Sequence, residues 1–418
     1  MITTLTTLFA TLFDREQLLQ QARSLHAIER LKKIHPADTV LALVRSAVGD
    51  ERPSIATARR QFQALTGYMP EESSFYERLT TGLANLCWKT FLGALSKATH
   101  VQRREVARAL GLKVRDIRAV DASVVSLPER AAKHLPSTDS RLGGFKITAA
   151  LSLLEDLLVS AHITDARQHD RKAFGLPKDV EGVLWIHDRG YADHRLFAHI
   201  ADGNGYFLIR LKSSSQPIVR SIRSGLAQCH LGKHLSRELP VHGVVDLDAE
   251  FTVGRNQTRV FRVVGIPVAR NKQGRADWIW LATNLPESTP ATTVGTFYRL
   301  RWMIETLFRA LKGIGRFDEV PSGNPAVICA FIGSTLIGLV LSQAICVAMR
   351  VERPGSEPSL MRVFALVLSN LSDLAAAFHS HRLEAALEPF VAALWREGVN
   401  PNPGRPYARD RHLATVAA

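Results

Sequence analysis

From Ala326 to Met349 the chain carries no charged side chain, and Arg350 follows at once. A run of this length either crosses a bilayer or lies as a helix covered by protein on every side. Ser334, Thr335, Ser342 and Gln343 interrupt it, and no second segment of the kind occurs. We therefore expect the central helix of a soluble core. The opening MITTLTTLFATLF (1–13) is apolar too, but it lacks a basic start and a small-residue cleavage site and runs into DREQLLQQ. It reads as an amphipathic helix, not a signal peptide. Lys and Arg number 53 against 39 Asp and Glu, a net charge of +14. That excess favours a polyanionic partner, with nucleic acid first and an acidic membrane surface second. Cys87, Cys229, Cys329 and Cys346 are scattered without framework spacing, which fits a reducing, cytoplasmic compartment.

The periodicity divides the chain. Residues 14–115 are helical in pattern, broken at Pro53 and across Gly67–Ser74. REVARALGLKVRDI (104–117) has the loose outline of a helix-turn-helix fragment. IRAVDASVVSL (117–127) reads as a strand, and Phe145–Leu153 with Leu157–Thr164 as a hairpin turning at Glu155–Asp156. Gly182–His187 is a short apolar strand ending at Asp188. A helix from Asp193 to Ile200 and a strand from Tyr206 to Lys212 come next. Residues 213–290 are strand-like (VHGVVDLDAEFTV, TRVFRVVGIPVA, DWIWLATNLP). One long helix is expected from Thr289–Pro290, as cap and first-turn residue, to Lys312, with Gly313 and Gly315 ending it. Helices then run to about Trp395, before a basic tail.

That long helix carries the chemistry. Tyr298, Arg301, Glu305 and Lys312 fall within about 60° of one another on a stripe about 21 Å long. Leu300, Ile304, Leu307, Phe308 and Leu311 form the neighbouring apolar stripe, which must face a core, so the polar stripe sits at the core's edge. A glutamate flanked by phosphate-suited groups fits a metal-ligating carboxylate beside nucleic acid. A solvated helix with an Arg301–Glu305 pair at four-residue spacing explains the same pattern. Two aspartates shift the balance. Asp121 lies inside a strand, where an acidic residue is disfavoured. Asp188 lies at the carboxyl end of a buried strand, where ligands bind in α/β sheets. Two aspartates on adjacent strands and a glutamate on a helix can hold two divalent cations about 4 Å apart.

The chain resembles the IS4-type DDE transposases. Tyr298-x2-Arg301-x3-Glu305-x6-Lys312 fills that family's glutamate-helix motif, Asp188-Arg189-Gly190-Tyr191 its second-aspartate motif, and VDAS (120–123) its first. The resemblance covers about 115–350 well and the rest only in general character. It implies an α/β fold, an RNase H-like mixed sheet with flanking helices interrupted by a β-rich insertion domain, and a helical N-terminal DNA-binding domain. The expected segments are 1–115 (DNA-binding helices), 116–212 (first part of the core), 213–290 (insertion), 291–350 (second part, with Glu305) and 351–418 (helices and basic tail). It also implies that Asp121, Asp188 and Glu305 bind Mg2+, with Mn2+ as substitute, to activate water and then a DNA 3′-hydroxyl for attack on phosphodiesters. Tyr298, Arg301 and Lys312 would grip backbone phosphates; Arg210, in YFLIRLK, is either a further DNA contact or, by default, a sheet-edge arginine. A tryptophan of the insertion, Trp278 or Trp280, would stack on a flipped base, with at least one of the pair packing under the insertion sheet instead. Partners would be double-stranded DNA with terminal inverted repeats, target DNA, and a second copy of the chain in a synaptic homodimer. A nuclease that cuts without joining, a dead DNA-binding remnant and a membrane protein using 326–349 are the rivals.

Other signals are weaker. Cys229, His230, His234 and His242 offer one thiol and no second ligand pair, so scattered histidines are preferred to a zinc site. Gly203-Asn204-Gly205 is a turn, no Walker pattern is present, and NPGRPYARDRH (402–412) reads as a disordered terminus that could touch DNA nonspecifically.

Overall fold

The computed structural model describes residues 1–46, 52–97, 114–139, 141–225, 231–235, 243–270, 276–320 and 322–401. Helices α1 (Ile2–Phe13), α2 (Arg15–Ser24), α3 (Pro36–Ser46), α4 (Ile55–Thr66), α5 (Glu72–Tyr76) and α6 (Thr81–Lys97) open the chain. α1 is amphipathic as expected, burying Leu5, Phe9, Leu12 and Phe13. The side chain of Asp14 accepts from the Gln17 N–H at 2.7 Å and so caps α2, as N-cap aspartates do. The helix-turn-helix outline at 104–117 lies almost wholly outside the described residues.

Among the described residues nine strands follow: β1 (Asp116–Leu127), β2 (Gly143–Ser152), β3 (Leu157–Asp165), β4 (Val183–His187), β5 (Tyr206–Arg210), β6 (Ile218–Ser224), β7 (Val245–Gly254), β8 (Gln257–Arg270) and β9 (Ala276–Thr283). They form one sheet in the order β3-β2-β1-β4-β5-β9-β8-β7-β6. β4 and β5 run parallel to β1, and the other pairings are antiparallel. The strands of 213–290 thus extend the same sheet through β9. The β2–β3 hairpin turns where expected, with Asp156 in the left-handed region at φ 54°. Between strands lie α7 (Asp170–Phe174) and α8 (His194–Asp202).

Each strand sends alternate side chains to opposite faces. Ile117, Ala119, Leu184, Ile186 and Leu208 join a core shared with the helices of both chain ends. Val120, Trp185, Phe207 and Ile209 join a second core under α8 with Leu196 and Phe197. The sheet is a mixed one with flanking helices, compatible with an RNase H-like fold.

The long helix expected to begin at Thr289–Pro290 divides in two. α9 (Ala291–Leu300) starts one residue later, with Pro290 at its N-cap, and α10 (Trp302–Gly313) follows. Between them the bonds Arg301 N–H to Tyr298 O (3.2 Å) and Ile304 N–H to Arg301 O (3.1 Å) span three residues, not four. This tightened turn, of 3-10 type, is what the uniform helical spacing missed.

The uncharged run is α11 (Pro325–Glu352), followed by α12 (Leu360–His379) and α13 (Leu383–Glu397). α11 is mostly buried, packed by α3, α6 and α12 and touching β3. Asn324 caps its start by accepting from the Ala326 N–H, with Pro325 in the first turn. Its polar residues are satisfied within the fold. Ser334, Thr335 and Ser342 donate to carbonyls four residues back. Gln343 donates to Asp156 O and accepts from the Leu158 N–H, both at 3.1 Å, tying α11 to the β2–β3 turn. At Gly338 a Cβ would meet Leu368 at 3.0 Å, so the absent side chain sets how closely α12 approaches.

Candidate active site

The alternation that builds the cores also aims the carboxylates. Asp121 continues the Ile117–Ala119 row of β1, and Asp188 the Leu184–Ile186 row beyond the end of β4. β1 and β4 are parallel neighbours, with Val120 beside His187. Both aspartates therefore rise on the face covered by α10, which buries Ile304, Leu307 and Leu311 and turns Glu305 toward them. Asp188 itself precedes a 3-10 turn, Arg189–Tyr191. Gly190 fits there because a Cβ would lie 2.8 Å from the Asp170 carboxylate.

Arg301 joins the set. Its Nη1 donates to Asp121 Oδ2 at 2.7 Å and its Nη2 to Glu305 Oε1 at 2.9 Å. The Tyr298 hydroxyl donates to Asp188 Oδ1 at 2.8 Å. The Arg301 side chain is only 14% exposed, against 22% for Asp121 and 30% for Glu305, so these are half-sheltered pairs and not solvated surface ones. Burial, with repulsion from Asp188 and Glu305, holds the Asp121 carboxyl above the ordinary range, against the Ala122 N–H and Arg301. Burial also pushes the Asp188 carboxyl up, but the Tyr298 and Arg189 hydrogen bonds and the Arg301 and Arg210 charges outweigh it, and its pKa is lowered. Burial raises the Tyr298 hydroxyl, and Asp188 raises it further. Burial would lower Arg301, but Asp121, Tyr298, Asp188 and Glu305 keep it raised.

Arg210 lies one step past Ile209, the β5 partner of His187, in the row of Leu208. That places it beside Asp188. Lys312 donates to Val124 O at 3.0 Å, farther along β1. Tyr298, Arg301, Arg210 and Lys312 thus line the carboxylate face. The two tryptophans do not. Trp278 and Trp280 share the opposite face, 7% and 1% exposed, their rings stacked 5.4 Å apart. Trp280 lies flat on Gly265, where a Cβ would meet its ring at 2.4 Å. Neither indole faces the carboxylates or offers an open ring face. Trp302 does stand exposed, 54% accessible and next in sequence to Arg301. It is absent from the expected DNA contacts, although an aromatic inside the Tyr298–Lys312 motif and off its apolar stripe is a usable signal in the sequence.

The donors are hard carboxylate oxygens, the type that Mg2+ and Mn2+ take. As arranged, no group of three or more His, Cys, Asp or Glu among the described residues is placed to hold a metal ion. The Arg301 guanidinium instead bridges two of the three acids as a resident cation. Asp121, Asp188 and Glu305 thus fit a divalent cation in chemistry and in common face, with Arg301 between two of them. Of the zinc alternative, Cys229, His230 and His242 lie outside the described residues, and His234 Nδ1 lies 2.7 Å from Gln216 O.

The chain is also similar in sequence to known proteins. A putative transposase, y4zB of Sinorhizobium fredii, is 25% identical over 221 residues, 53% of this chain and 56% of that protein. The chain thus matches just over half of that relative's length. The transposase for insertion sequence element IS231E of Bacillus thuringiensis subsp. finitimus is 21% identical over 418 residues, 87% of this chain and 84% of the relative. A family model described as the transposase DDE domain matches residues 112–339, a span that contains Asp121, Asp188 and Glu305 and over half of the chain. The chain belongs to the transposase DDE-domain family.

Proposed function

We propose that this protein is a DNA transposase of the IS4 type, cutting at transposon ends and joining the freed ends to target DNA by cut-and-paste. The observation that carries this reading is the convergence of Asp121, Asp188 and Glu305 on one face, with Arg301 and Tyr298 already hydrogen-bonded to them. Asp121, Asp188 and Glu305 would hold Mg2+, or Mn2+ in its place. When bound, the metal supplies charge neutralisation at the attacking and leaving oxygens and lowers the pKa of a nucleophilic water or 3′-hydroxyl.

The chain's own residues do the positioning. Tyr298 fixes the Asp188 carboxylate by its hydrogen bond. Arg301 and Lys312 offer cationic donors to backbone phosphates, Arg301 in a fork suited to phosphate oxygens. Arg210 adds positive charge beside Asp188. The net charge of +14 makes DNA binding fall steeply with salt. The RNase H-like assignment of β1–β5, a DNA-reading role for the N-terminal helices and the pairing of two ends by a homodimer belong to the same reading. So does a soluble, cytoplasmic protein, which the protein-packed α11 supports.

The test is a Mg2+-dependent assay on duplexes carrying the element's terminal inverted repeats, with wild type beside Glu305→Ala. Joined products from wild type and none from the variant are expected. DNA that is nicked but never joined would replace the transposase by a nuclease. Binding without chemistry from either protein would leave a DNA-binding remnant.

A further inference from the structure

We infer that Arg301 is an exchangeable counter-cation, holding the acids together in the DNA-free protein and excluding a divalent cation until DNA draws it away. The inference rests on the reading above that these carboxylates hold a metal. Three observations carry it. The guanidinium takes one oxygen of Asp121 and one of Glu305, at 2.7 and 2.9 Å, from two different elements. The pairs are sheltered, with Arg301 14% exposed, so their attraction is far less screened than on the surface. And Arg301 stands at the α9–α10 junction, where the hydrogen bonds tighten to three-residue spacing.

A guanidinium and a divalent cation cannot both sit between the same two carboxylates, because their like charges would lie a few ångströms apart. The arginine must therefore leave Asp121, Glu305 or both when a metal enters. A backbone phosphate is the partner that suits it, since the planar fork donates to two phosphate oxygens as readily as to two carboxylates. The exchange makes metal and DNA binding mutually supportive. By linkage each ligand then raises the affinity for the other by the same factor. The protein would remain metal-poor when free and fill its site on DNA.

The experiment measures Mn2+ binding to the full chain by electron paramagnetic resonance and calorimetry, with and without a short mixed-sequence duplex. Wild type, Arg301→Gln, Arg301→Lys and Asp188→Asn are compared. Without DNA, Arg301→Gln should bind Mn2+ roughly tenfold more tightly than wild type, within the usual span of coupling between two sites. Arg301→Lys should fall between them, because an ammonium pairs closely with one carboxylate at a time. The duplex should tighten Mn2+ binding to wild type by more than it does to Arg301→Gln. Equal Mn2+ affinity in wild type, Arg301→Gln and Arg301→Lys, with loss in Asp188→Asn, would overturn the exchange and leave the metal site standing. No Mn2+ binding to any variant, with or without DNA, would overturn the metal reading itself. Thermal melting of each variant in metal-free buffer separates a folding defect from either result.

Discussion

Arg262 and Arg301 are both drawn into the protein by carboxylates, and they are used differently. Arg262 meets Asp246 across β7 and β8 through two bonds of 2.9 and 2.7 Å and spends a third donor on Pro286 O. The side chains are 3% and 9% exposed, and the charges cancel. Arg301 also makes two short bonds, but to two acids on separate elements, with a third acid, Asp188, close enough to feel its charge. The first arrangement is complete. The second has carboxylate to spare and sits at an edge that a ligand can reach. Surplus charge at a half-sheltered edge, more than burial or bond length, separates a site from a strut.

Breaking each cluster should expose that difference. Arg262→Met leaves Asp246 buried without its partner and should cost about 3–5 kcal/mol, read as a fall in the urea midpoint at unchanged slope. Asp121→Asn should stay within about 1 kcal/mol of wild type at pH 7, because it removes one of several crowded acids. The Asp121 pKa is raised in the fold, so its ionisation already weakens the native state above the ordinary carboxylate range. Comparable losses for the two variants would erase the distinction.

His187 sharpens the comparison from the other face of the sheet, because there burial acts with no pairing at all. It is fully buried in the ring cluster of Phe174, Trp185 and Tyr191, with neither ring nitrogen hydrogen-bonded among the described residues. Burial lowers its pKa to about 3. Between that value and the unfolded value of about 6.5, only the unfolded chain takes up the proton. Stability must then fall as pH drops from about 6.5 toward 3, by roughly 2 kcal/mol at pH 5. His187→Phe should remove that loss and flatten the melting temperature between pH 7 and pH 5. An unchanged pH profile would show that the ring is not held neutral.

Much of the site was legible in the sequence because it depends on period and position. A strand period of two places Asp121 with Ala119 and Asp188 with Ile186, and the helical stripe brings in Glu305. The order of strands and helices followed from the same periodicity and the fold class from the family resemblance, while the burial of 326–349 followed once no second apolar span was found. What was not legible depended on tertiary choice. Alternation puts Trp278 and Trp280 on one face but does not say which, and packing against Gly265 decided for the far side. Four-residue spacing gave Arg301 a partner in Glu305, whereas the bond to Asp121 spans 180 positions and leaves no local trace. The division of the long helix at Arg301 likewise carries no Gly or Pro to announce it.

The most direct measurement maps the metal on the chain itself. The protein–DNA complex is loaded with Fe2+ in place of Mg2+, treated with ascorbate and peroxide, and its backbone cuts are located by mass spectrometry. A centre held by Asp121, Asp188 and Glu305 gives cuts clustered near those three separated points, and Asp188→Asn abolishes them. Cuts clustered elsewhere, or none at all from a complex still able to cleave and join DNA, would contradict it.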